Sequence, residues 1–337
     1  MKRWEEHGSS RVEPDGTAHI TRVIPPPHLI SPEGRAYLAT PPWGAAAPDP
    51  NAPMWAAREQ ADAALRMIGD MAAGHYEVSV EETQIAGVRC HRVRSSPDAG
   101  KACGRVLINL HGGGFVLGSG SLVEAIPIAR MTGIPVIAVD YRLAPEYPYP
   151  AAVEDVIAVY RAVLAHHDAS AIGIYGASAG GILTGQVQAR IAHEGLPPPG
   201  CLGMFTAAGD LSHHGESAQL FALSGFWGEL LRPTDHPLSE VRAYLGGADP
   251  RDPLVSPIHA DLSRFPPTLL VTGTRDALLS GTCALHLALR RAGADAELLV
   301  FEAMPHAHWY AFHLPESQQA LALMSDFFER KLRRTRA

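Results

Sequence analysis

The segment Ala171-Ile172-Gly173-Ile174-Tyr175-Gly176-Ala177-Ser178-Ala179-Gly180-Gly181 joins an apolar run to a glycine-flanked serine, and a helical pattern follows it as far as His193. A short apolar run reads as a buried strand, so the serine sits on a turn between strand and helix. Small neighbours (Gly176, Ala177, Ala179, Gly180, Gly181) permit a strained backbone and close approach of a ligand. Gly-x-Ser-x-Gly alone is a weak signal. Its placement between a strand and a helix makes Ser178 a candidate nucleophile, because a hydroxyl needs exposure, a base beside it and donors for the charge that develops.

Outward from this segment the same rhythm repeats. Strands are expected at Arg105–Leu110, Pro135–Val139, Ala171–Tyr175, Leu202–Thr206, Thr268–Thr272 and Glu297–Phe301. Helices are expected near Ser121–Thr132, Ala151–His166, Ala179–His193, Ser280–Ala292 and Glu316–Lys331. Continuous apolar strands separated by helices imply a parallel sheet covered on both faces. Right-handed crossovers align the strand carboxyl ends along one edge. Before this, alternation at Tyr76, Val78, Val80 and then Val88, Cys90 and Val93, with Ile85-Ala86-Gly87 between, predicts two antiparallel strands. Residues 1 to about 70 are rich in proline and alanine, with helical stretches near Ser31–Leu38 and Met54–Ala73 broken by Pro25-Pro26-Pro27 and Pro41-Pro42. Residues 210–250 interrupt the rhythm with several helix-like pieces and read as an insertion over the carboxyl edge.

Along that edge lie the partners a serine nucleophile needs. His111-Gly112-Gly113-Gly114-Phe115 follows the strand ending at Leu110, and its glycines offer backbone N–H groups to an oxyanion together with the N–H of Ala179. His111 itself reads as a structural residue that fixes this loop. Asp276 follows the strand Thr268–Thr272, and His306 follows Glu297–Phe301, which gives the chain order nucleophile, acid, base. Asp249, Asp252 and Asp261 are rivals for the acid, and His308 and His313 for the base. The chain has 17 histidines, so position rather than residue type must select among them.

Composition removes other classes. The 337 residues are 46% apolar and 19% charged, which suits a globular enzyme. A net charge of −7, with no basic run before Arg330-Lys331-Leu332-Arg333-Arg334, argues against a nucleic-acid partner. Cys90, Cys103, Cys201 and Cys283 lack metal-ligand or redox spacing and read as reduced thiols. The polar start Met1-Lys2-Arg3-Trp4-Glu5-Glu6 is not a secretory signal, and no stretch of about 18 apolar residues spans a membrane, so a cytoplasmic protein is the expectation.

Three motifs taken together, His111–Phe115, Asp140-Tyr141-Arg142-Leu143-Ala144-Pro145-Glu146 and Gly176–Gly181, resemble the hormone-sensitive-lipase family of esterases, also called bacterial family IV. The resemblance runs from about residue 76 to the carboxyl end. It implies an α/β-hydrolase fold, with a mostly parallel eight-stranded sheet flanked by helices and a helical cap. The cap would comprise residues 1–50 and 210–250, and the body residues 51–209 and 251–337. It implies a Ser178–Asp276–His306 triad, an oxyanion hole from Gly113, Gly114 and Ala179, cleavage of short- to medium-chain acyl esters without cofactor or metal, and homodimers in many members. Asp140–Glu146 would shape the site from behind. Two positions that are often acidic in the family carry Ala177 and Ser280 here, which bears on the support of the site rather than on the reaction. The same triad would serve lactone, amide or carbamate cleavage, and a receptor without catalysis is the alternative from another class. Trp43, Trp55, Phe221, Phe226, Trp227 and Leu230 are candidate pocket residues by position.

Overall fold

The computed structural model describes residues 8–40, 54–96, 104–236 and 239–332. Its amino-terminal part holds strands β1 (Ser9–Val12) and β2 (Ala18–Thr21), helix α1 (Pro32–Ala39) and the long helix α2 (Met54–Tyr76). Strands β3 (Ser79–Ile85), β4 (Val88–Arg94) and β5 (Val106–Leu110) follow, then α3 (Ala125–Thr132), β6 (Val136–Val139), α4 (Ala151–Leu164), β7 (Ile172–Ala177), α5 (Ala179–His193) and β8 (Cys201–Phe205). The insertion contains α6 (Ser217–Leu220), β9 (Ala222–Ser224), β10 (Trp227–Leu230) and α7 (Glu240–Leu245). The chain returns to the body with β11 (Thr268–Gly273), α8 (Leu279–Arg291), β12 (Ala296–Phe301) and α9 (Pro315–Lys331).

Eight strands form one sheet in the order β12-β11-β8-β7-β5-β6-β4-β3. Pairing is parallel from β12 to β6 and antiparallel where β4 meets β6 and β3. The central strands β5, β6, β7, β8 and β11 are buried along their whole length because both of their faces are covered. Val106, Ile108 and Leu110 join one core cluster with α4, α5 and α8, whereas Leu107 joins the other with α2, α3 and α9. In β11 the same alternation sends Leu270 to the first cluster and Leu269 and Val271 to the second. Close packing needs a glycine where α5 crosses β5, since a Cβ on Gly180 would lie 1.9 Å from the Leu110 carbonyl oxygen.

The six expected strands of the body and its five expected helices are all present, with ends shifted by a few residues at most. The insertion departs from the expected helical cap. Its centre is a two-stranded antiparallel hairpin, β9–β10, with Gly225 in left-handed backbone at the turn. The run Phe221 to Leu230 carries that turn glycine, which favours a hairpin over a helix. The β1–β2 hairpin was also not expected from the sequence.

Candidate active site

The loops that leave the carboxyl ends of β5, β6, β7, β8, β11 and β12 carry the residues selected above. Ser178 directly follows β7 and occupies the position before the first residue of α5, with φ 56° and ψ −124°. This is backbone that a non-glycine residue rarely adopts, and its surroundings hold it there. The Ser178 N–H donates to the Phe205 carbonyl at 2.9 Å, and its own carbonyl accepts the first turn of α5 from Ile182 at 3.0 Å. The Ala179 N–H sits in the first turn of α5, where backbone donors have no partner within the helix and the helix dipole favours negative charge.

Asp276 and His306 are brought together. His306 Nδ1 lies 2.9 Å from Asp276 Oδ1, and Asp276 is fully buried. The same carboxylate accepts from the Leu278 N–H at 2.9 Å, from Thr272 Oγ1 at 2.7 Å and from Thr206 Oγ1. Burial pushes its pKa up, but the imidazole charge and hydrogen bond of His306, with those of Thr206 and Leu278, outweigh burial and hold it below the usual carboxylate range. His306 Nε2 is buried without a hydrogen-bond partner, so Ser178 and His306 are not hydrogen-bonded in this structure.

The rivals are placed elsewhere. Asp249, Asp252 and Asp261 cap local turns by accepting the N–H groups of Arg251, Leu254 and Ser263. His308 is buried, and desolvation pulls its pKa down to about 4, so it stays neutral. His313 is exposed.

His111-Gly112-Gly113-Gly114-Phe115 forms a tight turn in which the Gly113 carbonyl accepts from the N–H groups of Val116 and Leu117, each at 3.0 Å. Among the described residues, the N–H groups of Gly113 and Gly114 have no hydrogen-bond acceptor. Gly113 has φ 120°, and a Cβ there would lie 2.2 Å from the Leu117 carbonyl oxygen, so no other residue fits. The loop touches the serine: a Cβ on Gly112 would be 3.4 Å from Ser178 Cβ. His111 is buried, stacks on Tyr141 at 4.2 Å between centroids and keeps Nδ1 2.7 Å from the Gly112 carbonyl. Burial lowers its pKa, which keeps it neutral and structural.

The Asp140–Glu146 motif braces this loop. Asp140 accepts from Ser119 Oγ at 2.9 Å and the Gly120 N–H at 3.0 Å, and pairs with Arg89. The Tyr141 hydroxyl donates to the His111 carbonyl at 2.7 Å, and the Ala144 N–H donates to the Phe115 carbonyl at 2.9 Å. Helix α2 completes the brace from the other side. Arg58 donates to the carbonyls of Val116 (2.6 Å) and Ala144 (2.8 Å) and to both oxygens of Glu146, while Asp62, one turn later, accepts the Gly118 N–H at 2.6 Å.

Three further features were missed in the sequence. Thr206 sits at φ 45° just beyond β8, and its hydroxyl reaches both Asp276 and, at 2.9 Å, His306 Nδ1. Its place at a strand carboxyl end was the available signal. Glu124 is a buried carboxyl at the start of α3; it accepts from the Tyr310 hydroxyl at 2.6 Å and from Asn109 Nδ2 at 3.3 Å. Burial raises its pKa to about 7. The Tyr310 oxygen would be 3.2 Å from a Cβ on Gly112, so the pair links the His306 loop to the glycine loop. A lone acid in the apolar stretch Leu122–Ile128 was its only trace. Third, Glu240 of α7 approaches the glycine loop, 3.0 Å from where a Gly114 Cβ would be. Desolvation raises its carboxyl pKa above the ordinary value, against a smaller opposing effect of Arg232.

Ala177 is buried beside Tyr175 in the core. Ser280 exchanges hydrogen bonds with Ser217: the Ser217 N–H donates to Ser280 Oγ at 3.0 Å and the Ser280 N–H to Ser217 Oγ at 2.9 Å, which ties α8 to α6 of the insertion. Of the candidate pocket residues, Trp43 and the side chain of Trp55 lie outside the described residues. Phe221 and Phe226 pack with tilted rings 5.4 Å apart between centroids, Trp227 Nε1 donates to the Leu38 carbonyl at 3.0 Å, and Leu230 is exposed. Cys90 and Cys201 are buried free thiols and Cys283 is half-buried, while Cys103 lies outside the described residues. Among the described residues no group of three His, Cys, Asp or Glu side chains is placed to hold a metal, and no helix is long and apolar enough to cross a membrane.

A strained serine between strand and helix, an aspartate–histidine pair and a glycine loop on one sheet edge define a hydrolase of the α/β class. Comparison with known proteins agrees. Residues 107–310 match the model of the alpha/beta hydrolase fold family. The chain is 34% identical over 228 residues to an acetyl-hydrolase of Streptomyces hygroscopicus, covering 66% of this chain and 75% of that one. Among solved structures, an esterase called E25 superposes with a TM-score of 0.82 at 33% identity, over 93% of this chain and 98% of that chain. An esterase from the bacterial hormone-sensitive lipase family superposes with a TM-score of 0.77 at 33% identity, over 90% and 99%. The chain belongs to the hormone-sensitive-lipase family of α/β hydrolases and is a carboxylesterase.

Proposed function

We propose that the chain hydrolyses short- to medium-chain acyl esters with Ser178 as nucleophile, His306 as base and Asp276 as its orienting acid. One observation carries this reading: buried Asp276 holds His306 by Nδ1, and the free Nε2 belongs to the same strand edge as Ser178. Accepting the Nδ1 proton fixes the tautomer, so the lone pair is on Nε2. Nε2 takes the Ser178 proton while Oγ attacks the ester carbonyl. The N–H groups of Gly113, Gly114 and Ala179 receive the oxyanion. Collapse expels the alcohol, which takes the proton from Nε2, and leaves an acyl-enzyme. Water, deprotonated by the same nitrogen, then releases the acid. Residues 1–50 and 210–250 act as the cover that sets acyl length.

The test is Ser178→Ala assayed with p-nitrophenyl butyrate. Loss of the nucleophile should reduce kcat by about 10⁴-fold or more. Near-normal turnover in that variant would refute the assignment. A series of p-nitrophenyl esters from acetate to palmitate should peak among the shorter chains, and a maximum at palmitate would overturn the substrate class.

A further inference from the structure

A groove of about 350 Å³ lies where the amino-terminal segment, α1 and the β9–β10 hairpin meet the loop leading into Asp276. Arg22, Arg35 and Arg275 line it, with Ile24, Leu38 and Phe226 among its apolar walls, and among the described residues no acidic side chain contributes. Three like charges converge in a chain whose net charge is −7. None of the three makes an ion pair among the described residues. Arg22 donates through Nη1 to the carbonyls of Ser9 and Thr21, at 2.6 and 3.0 Å. Arg275 lies over the Phe226 ring at 4.7 Å. Burial works against the Arg275 charge, and Glu302 offsets only part of that. Gathering guanidinium groups that lack an acidic partner costs energy unless an anion joins them.

We propose that this groove binds a small carboxylate with a short hydrocarbon chain. The planar guanidinium fork matches a carboxylate in two parallel hydrogen bonds. The apolar walls suit the chain, and the volume falls in the range of small-ligand sites. An acid of this kind is what ester hydrolysis releases, so the identification of the ligand with the product rests on that activity, whereas the binding itself does not. The groove adjoins both loops of the aspartate–histidine pair. Arg275 immediately precedes Asp276, and a Cβ on Gly225 of the hairpin would lie 3.6 Å from the Cβ atoms of both Arg275 and Pro305, the neighbour of His306.

The experiment is calorimetric titration of the Ser178→Ala protein with sodium butyrate at low ionic strength, beside n-butanol and inorganic phosphate. Butyrate should bind saturably at a groove site, and butanol should not. Arg35→Gln and Arg275→Gln, each in the Ser178→Ala background, should weaken butyrate binding by about tenfold or more, the scale of one charged hydrogen bond. Arg35→Lys keeps the charge without the fork and should fall between; it carries the test if the Gln variant proves unfolded by circular dichroism. Absence of butyrate binding, binding untouched by the Arg35 substitutions, or phosphate binding as tightly as butyrate would each overturn the proposal. Failure of the nucleophile assignment would show separately, as turnover by the Ser178→Ala protein.

Discussion

The loops at the carboxyl ends of the central strands and the segments that cover them are held by different forces. Asp276, Thr206, Gly113 and Ser178 follow strands buried on both faces, and hydrogen bonds from several elements fix them. The cover makes fewer such contacts. Strands β1 and β2 are exposed along their whole length, and Phe226 and Trp227 remain 51% and 42% exposed. Reaction geometry therefore depends on the packed body, while the cover can vary at small cost to stability. Substitutions should divide accordingly: large effects on rate at the strand ends, and small effects on stability with altered selectivity in the cover.

The largest effect on this division after loss of the nucleophile is expected for Asp276→Asn. The amide can donate to His306 Nδ1, which favours the tautomer with the proton on Nε2 and removes the lone pair that accepts the serine proton in the proposed mechanism. A fall in kcat of about 10⁴-fold with little change in KM is expected from stopped or steady-state assays. A loss below tenfold would mean that the pair is structural. Next comes Gly113→Ala, whose methyl would collide with the Leu117 carbonyl oxygen. Displacing one donor of the proposed oxyanion hole should lower kcat by about 10²–10³-fold. An active Gly113→Ala enzyme would show that the loop is not clamped as the hydrogen bonds of Asp62, Arg58 and Tyr141 imply.

The same division governs what the sequence made legible. The run Ile172–Ala177 is apolar because both faces of β7 are covered, and that burial is why strand, turn and helix could be read around Ser178. Strand order along the chain then put Asp276 and His306 on one edge. Burial also separates His306 from His308, but only in three dimensions: two residues apart in sequence, one faces Asp276 and the other is enclosed beside Phe301 and Trp309. Thr206 was indistinguishable from any strand-end threonine until Asp276 was placed against it. In residues 210–250 the buried positions, such as Ala218, Ala222, Tyr244 and Leu245, are scattered over elements of three to six residues, too short to show a period, so the sequence does not distinguish a hairpin from helices there. Glu124 escaped notice because its partners Asn109 and Tyr310 are distant in sequence.

Glu124 gives a prediction of intermediate size. Its folded pKa of about 7 exceeds the ordinary value of 4.5, so the folded state holds the proton more tightly than the unfolded chain. The stability this contributes is complete below pH 4.5 and is lost as pH rises through about 7. Glu124→Gln carries no charge to bury. Asn109 Oδ1 is buried without a partner, and a turned Asn109 amide would present it to the new NH₂ group. The variant should be more stable than the parent at pH 8, by up to about 3 kcal/mol, and should match it near pH 4.5. Urea unfolding at the two pH values measures this. A variant less stable at pH 8 would mean that the ionised carboxylate is what holds Tyr310.

The smallest effect on stability should come from the cover. Trp227 donates its indole N–H to the Leu38 carbonyl, joining the β9–β10 hairpin to α1. Phenylalanine keeps a ring there and removes the donor. The bond is exposed, so its loss should cost about 0.5–1.5 kcal/mol at most, and the melting temperature should move by only a few degrees. What should change is the ratio of kcat/KM for octanoate over acetate esters, by a few-fold, because the hairpin loses its tie to the helix that borders the groove. If Trp227→Phe instead lowered kcat on all esters alike, the hairpin would have to be counted with the strand-end loops as part of the reaction geometry. Its turn already packs close to Arg275 and Pro305, so that outcome has a route: movement of the hairpin would reach His306 through Pro305. The two results differ in which kinetic constant moves, and one acyl-length series on the variant separates them.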